Sequence, residues 1–314
     1  MARRTGGPAP RTGPDAGTGA PGSGGDSPTG RDLHPDEVRT GRTTAGGLRR
    51  PGDRGVRARV PVVLAVPACV GLAFLVVPLL GLVVRAPWSS LIDELGRPEV
   101  WQALRLSLVS ATLATLVALV LGVPLAWVLA RSTLPGRGLA RALVTVPLVL
   151  PPVVGGVALL LVLGRRGLVG QWLDAWFGLS LPFTTAAVVL AEAFVATPFL
   201  VLSVEGALRA ADRRYEDAAA TLGASGWLTF RRVTLPLVAP GVAAGAVLAW
   251  ARALGEFGAT ITFAGNFPGT TQTMPLAVYV AMETSPDAAI VLSLLLLVVS
   301  VVVLAALRDR WVPR

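Results

Sequence analysis

From Val60 onward the chain alternates long apolar runs with short charged stretches. Residues 60–84 carry no charge, and neither do residues 106–130, which lie between Arg105 and Arg131. A third run, 142–164, is interrupted by Pro147, Pro151, Pro152, Gly155 and Gly156, a pattern that predicts a kinked or broken helix packed against protein rather than lipid. A fourth run, about 184–204, holds one acid, Glu192, and a fifth, about 237–263, holds Arg252 and Glu256. The sixth, about 288–307, is almost purely aliphatic, as a lipid-facing helix would be. A bilayer core about 30 Å thick needs roughly 20 apolar residues at a rise of 1.5 Å each, so every run is long enough to cross. The pattern predicts an all-α integral membrane protein of six transmembrane helices over residues 60–310. Residues 1–59 show no such pattern. They are rich in Gly, Pro, Ser, Thr and Arg with few large apolar residues, and are expected to form a disordered tail.

Composition agrees with a membrane protein: 53% of residues are hydrophobic, 15% are charged and the mean hydropathy is +0.64. Charge decides the orientation. With the N-terminus inside, the inner segments hold Arg131, Arg137, Arg141, Arg209, Arg213, Arg214, Arg231, Arg232, Arg308, Arg310 and Arg314. The outer ones hold only Arg85, Arg97, Arg105, Arg165 and Arg166. The positive-inside rule therefore predicts cytoplasmic N- and C-termini. The net charge of +9 is no footprint of nucleic acid, because residues 1–59 carry eleven arginines against six acids without interleaved aromatics to stack bases. Anionic membrane lipid is the partner expected for that tail. The sole cysteine, Cys69, lies within the first run, precludes an internal disulfide, and is read as inert. The first run continues well beyond signal-peptide length.

Several chemistries are missing. The sole histidine, His34, is in the tail, which leaves no His/Cys metal set and no His-containing triad in the membrane part. No phosphate-cradling G-x-x-x-x-G-K-[ST] loop occurs, so ATP is not bound in that way. No cofactor, metal or catalytic residue is expected, and a transporter reading requires that any ATP-derived energy come from another polypeptide.

One polar stretch on the arginine-rich side carries a spaced pattern. Asp217-Ala218-Ala219 is followed after three residues by Gly223, after nine more by Val233, and after one more by Leu235-Pro236. Asp212, Glu216 and Asp217 favour a helix start, and Gly223 ends that helix. Trp227, Phe230 and Leu235 then form an apolar set. The spacing resembles the EAA loop of permease subunits of bacterial ATP-binding-cassette importers, with Asp217 for Glu and Val233 for Ile. The resemblance implies a type I importer permease fold and a cytoplasmic coupling loop, residues 208–236. Glu216, Asp217, Ala218, Ala219, Gly223, Val233, Leu235 and Pro236 of that loop would engage an ATPase subunit.

"ARALGEFG" (251–258) and "GNFPGTTQTMPLAVY" (265–279) resemble the molybdate importer permeases, and the sulfate/thiosulfate permeases more loosely. So do "RLSLVSATLATLVALVLGVPLAWVLAR" (105–131) and "VPLVLPPVVGG" (146–156). This second resemblance implies a homodimer with the path on its two-fold axis, an extracytoplasmic molybdate-binding protein, two ATPase subunits, and a place in the bacterial cytoplasmic membrane. Within the fifth run Arg252 and Glu256 are four residues apart, on one helix face. They are read as shaping the outer part of the path, with a purely structural pair as the competing reading. Asn266, Thr270, Thr271, Gln272 and Thr273 are read as lining its mouth, and Glu192 as an interior structural acid. The sequence leaves sulfate, thiosulfate or tungstate open as cargo. It also leaves open a secondary transporter or a structural membrane protein with no ATPase.

Overall fold

The computed structural model describes residues 61–308 except Leu134. The expectations for the tail, His34, Arg310 and Arg314 lie outside the described residues. Thirteen α-helices and one π-helical turn, with no strand, make up the described part. They run α1 (Val62–Val84), α2 (Leu91–Leu95), α3 (Pro98–Arg131), α4 (Arg137–Val149), α5 (Pro152–Leu163), α6 (Gly170–Phe177) and α7 (Thr185–Ala210). After these come α8 (Arg214–Thr221), α9 (Gly226–Thr229), the π turn (Phe230–Thr234), α10 (Leu235–Leu254), α11 (Gly258–Phe263), α12 (Met274–Thr284) and α13 (Pro286–Arg308).

Five stretches are each long and apolar enough to cross a membrane: α1, α3, α7, the continuous helical stretch Gly226–Leu254, and α13. The third hydrophobic run is broken, as its prolines predict, into α4 and α5, whose axes differ by 117°. The pair still traverses the bundle, because it climbs along α7. Arg141 of α4 binds Glu205 near the end of α7, Gly155 of α5 faces Phe194, and Leu159, Leu160 and Leu163 pack with Ala187, Val188 and Ala191. Counted as one crossing, the pair makes six.

Three runs extend well beyond the predicted limits, the third because α4 already begins at Arg137, ahead of Ala142. The second was expected over 106–130, but α3 starts at Pro98, whose fixed φ suits a first helical position; the exposed Arg105 marks the edge of the apolar stretch, not of the helix. The fourth was expected over 184–204, but α7 continues to Ala210 because Arg141 and Arg209 neutralise Glu205.

The fifth run requires a correction. Instead of one helix over 237–263, helical structure begins at Gly226 and α10 stops at Leu254. Gly255 caps it, and a separate short helix, α11, follows. Apolar composition continues across this break, but Glu256 turns back to cap α11, accepting the Ala259 N–H at 2.9 Å.

The core lies between α3, α7 and α10. Ala111, Ala114, Ala118 and Ala126 of α3 meet Ala193, Ala196, Leu200, Val201 and Val204 of α7. Small residues let the backbones approach where hydrocarbon outside offers no hydrophobic drive. A Cβ on Gly245 would lie 3.0 Å from Leu200 and Ser203 side-chain atoms, and one on Gly241 would overlap Ala207. By contrast, α1 has no buried residue along its length among those described.

Candidate functional site

The loop between α7 and α10 is built by local rules. Asp212 Oδ1 accepts the Arg214 N–H at 3.0 Å and so starts α8, whose first turn holds Glu216 and Asp217 at the positive end of the helix. The helix closes as a Schellman motif. Gly223 has φ +80°, its N–H donates to Ala220 O, and the Ala224 N–H donates to Ala219 O, each at 3.0 Å. The Ser225 hydroxyl then accepts the Leu228 N–H and opens α9.

Leu235 and Pro236, expected to close this loop, lie inside a helix that continues from α9 into α10. Proline has no N–H and its ring crowds the carbonyl four residues back, that of Arg232. The backbone widens there into the π turn, in which the Leu235 N–H reaches Phe230 O, five residues back. Of the expected apolar set, Phe230 stacks on Trp227 (centroids 5.8 Å apart) and meets Trp127 edge-on (6.2 Å). Together these residues line an apolar hollow of about 270 Å³ with Pro124, Val128 and Gly226; Leu235 stands apart from it.

Side chains of this loop divide into two groups. Asp217, Ala218, Gly223 and Pro236 are exposed, and Ala219, Val233 and Leu235 are half-buried. Asp217 makes no ion pair among the described residues. Glu216 faces the bundle instead. Its Oε1 is 3.2 Å from Arg131 Nη2 at the end of α3, with side chains 18% and 7% exposed respectively, and it accepts the Thr234 hydroxyl at 2.9 Å. Arg131 also donates to Ala211 O, and Arg213 to Ala130 O. A second node lies alongside, where the buried Glu205 receives Arg141 and Arg209. Sequence reasoning used Arg131 and Arg141 only as markers of sidedness; their partners are 85 and 64 residues away along the chain.

At the other end of the bundle, Arg252 Nη1 lies 2.5 Å from Glu256 Oε2, with Glu256 1% and Arg252 26% exposed. The contact pairs charges without hydrogen-bond alignment at that oxygen. Glu192, also buried, accepts the Ser110 hydroxyl at 2.8 Å, and Ser107 Oγ accepts the Met274 N–H at 2.7 Å. The expected mouth residues do not share one surface. Thr271 is buried and its hydroxyl accepts the Phe267 N–H within its own loop. Thr273 is buried, Asn266 is half-buried and Thr270 is exposed. Gln272 borders a separate cavity of about 230 Å³ with Glu94, Arg97 and Glu99.

The fold is a bundle of membrane-crossing helices with a short polar helix pair at one end and paired charges at the other. The family of binding-protein-dependent transport system inner membrane components matches residues 118–314, and the chain belongs to it. The molybdenum transport system permease protein ModB of Mycobacterium tuberculosis is 50% identical over 246 residues, which cover 78% of this chain and 92% of that protein. ModB of Escherichia coli K12 is 44% identical over 217 residues, 69% and 94% of the two chains. The sulfate transport system permease protein CysT of E. coli K12 is 36% identical over 212 residues, 67% and 76%. Among solved structures, a bacterial ABC transporter that imports the acidic polysaccharide alginate superposes with a TM-score of 0.65 at 18% identity, covering 80% of this chain and 94% of that one. The MetNI methionine ABC transporter superposes with a TM-score of 0.51 at 20% identity, covering 68% and 94%. At such identities the superpositions establish the fold, that of an ABC importer permease. The chain is thus a membrane-spanning transport subunit.

Proposed function

We propose that the chain is the permease subunit of an ATP-driven molybdate importer of the bacterial cytoplasmic membrane. One observation carries the cargo: identity to molybdenum permeases is 44–50% across most of both chains, against 36% to a sulfate permease. Sulfate or thiosulfate import is the second reading, supported by that lesser match; tungstate shares molybdate's shape and charge.

The loop end of the bundle faces the cytoplasm in this reading. Nine described arginines (Arg131, Arg137, Arg141, Arg209, Arg213, Arg214, Arg231, Arg232 and Arg308) lie toward that end, against six toward the other, Arg252 included. Each of two ATPase subunits engages the exposed face of α8, around Asp217, Ala218 and Gly223, on one of two permease copies. The path runs between the copies, in keeping with Arg252 being partly exposed at the edge of a single chain rather than enclosed by it. Arg252 and Glu256 shape its outer part, with the half-buried Asn266 and the exposed Thr270 toward its mouth, while Thr271 and Thr273 are buried behind them. A molybdate-binding protein delivers the oxyanion on that side.

The test is radiolabelled molybdate uptake in cells expressing this chain with its binding protein and ATPase, beside a Gly223→Pro version. Uptake that resists excess sulfate and is lost in the variant, with membrane insertion intact, is the expected result. Abolition by modest sulfate moves the cargo to the second reading, and indifference to the substitution removes the coupling loop.

A further inference from the structure

No residue of α8 is buried, so apolar packing does not hold this helix to the bundle. What holds it is polar. Glu216 Oε1 is shared between Arg131, at the end of α3, and Thr234, at the base of α10. Two further contacts, Arg131 to Ala211 O and Arg213 to Ala130 O, cross-tie the same helix ends. Adjacent residues on a helix point about 100° apart, so with Glu216 turned inward its neighbour Asp217 is left on the outer face.

We infer that Arg131, Glu216 and Thr234 form the joint through which a displacement of α8 reaches α3 and α10. This rests on the reading that an ATPase grips α8. Glu216 then acts as a positioning residue inside the permease rather than as a contact for the ATPase. The π turn is part of the joint: Pro236 opens the backbone, and the widened turn carries Thr234, which is 1% exposed, at hydrogen-bonding distance from the carboxylate. A pull on Glu216 is delivered at once to two helices. The first, α3, is 34 residues long and holds Ser107 and Ser110, which bind Met274 N–H and Glu192. The second, α10, ends at the Arg252–Glu256 pair. The helices are tied again near their outer ends, where Trp250 Nε1 donates to Thr112 Oγ1. One oxygen at the inner end therefore bears on both helices that carry the outer polar groups.

The experiment reconstitutes the full complex, with permease, ATPase and binding protein, in proteoliposomes and measures molybdate imported per ATP hydrolysed. This ratio does not move when a variant merely lowers the amount of assembled complex. Thr234→Val and Glu216→Gln are expected to retain the ATPase subunit while the ratio falls about tenfold, the first because it loses a hydrogen bond to a charged group and the second because it turns the charged acceptor shared by Thr234 and Arg131 into a neutral one. Thr234→Ser, which keeps the hydroxyl, is expected to hold the wild-type ratio. An unchanged ratio in Thr234→Val and Glu216→Gln overturns the joint, and so does an equal fall in Thr234→Ser. A wild-type chain that captures no ATPase overturns the underlying reading and the joint with it. If the wild type imports sulfate but not molybdate, the cargo is corrected, and the same ratios measured with sulfate decide the joint.

Discussion

Removing Arg252 alone should cost far more than removing it together with the charge on Glu256. Glu256 is 1% exposed and its charge is met by Arg252 and the Ala259 N–H. Arg252→Ala leaves a buried carboxylate with one neutral donor. Breaking a buried pair from one side costs about 3–5 kcal/mol. At roughly 2–4 °C per kcal/mol for a chain of this size, the melting temperature falls by about 6–20 °C. Arg252→Met combined with Glu256→Gln removes both charges while the amide keeps an oxygen for the Ala259 N–H. It should recover most of that loss, giving a coupling energy well above the few tenths of a kcal/mol found for independent sites. The assay is thermal unfolding of the detergent-solubilised chain, followed by the fraction eluting as folded protein on size exclusion. A single variant melting within about 2 °C of wild type, or a double variant no more stable than the single, would refute the reasoning. Uptake by the stable double variant then separates structure from transport, because recovery assigns the pair to holding the break between α10 and α11, and its absence assigns the charge to the path.

Three further substitutions test the packing. Gly156→Val should block assembly, because even a Cβ there would lie 2.8 Å from Ala259 O and Thr262 Cβ; loss of folded protein on size exclusion checks it, and overpacking of this kind costs at least about 1–3 kcal/mol. Glu192→Gln, which keeps an oxygen for the Ser110 hydroxyl, should melt above Glu192→Ala, which leaves that hydroxyl only the Ser107 carbonyl at 3.3 Å and costs about 0.5–1.5 kcal/mol for the lost bond. Gly223→Ala should weaken capture of the ATPase more than it affects insertion, because φ +80° costs a Cβ-bearing residue about 1–2 kcal/mol in the turn that ends α8; co-purification from equal amounts of inserted protein reads it.

The crossing segments were legible because a run of apolar residues carries its meaning locally. The break between α4 and α5 was legible too, since Pro147, Pro151 and Pro152 act on the backbone beside them. The break after Leu254 was not, because composition stays apolar through Phe263 and only Gly255, Glu256 and Gly258 mark it. Arg105 and Glu205 misled in the same way, as charges that end an apolar count without ending a helix. In the coupling loop the spacing located α8 and its terminal glycine, but which of Glu216 and Asp217 faces the bundle depends on Arg131 and Thr234, one remote in sequence and the other brought into place by a π turn. Hydrophobic periodicity says nothing about such a pairing. The mouth residues show a related limit: a run of Thr and Gln reads as a polar surface, whereas Thr271 spends its hydroxyl on its own backbone.

Helix ends inside a membrane attract counter-ions, since unpaired N–H groups and the aligned peptide dipoles present positive charge there. The start of α11 is such an end, and Glu256 already occupies it, one oxygen on the Ala259 N–H and the other beside Arg252. The chain thereby supplies its own anion. If the proposed path runs past this point, a dianionic oxyanion there meets a cation and a helix end that already share the Glu256 carboxylate, which leaves little to retain it. Fast release, more than capture, is what an internal carboxylate at this place confers on a carrier of anions.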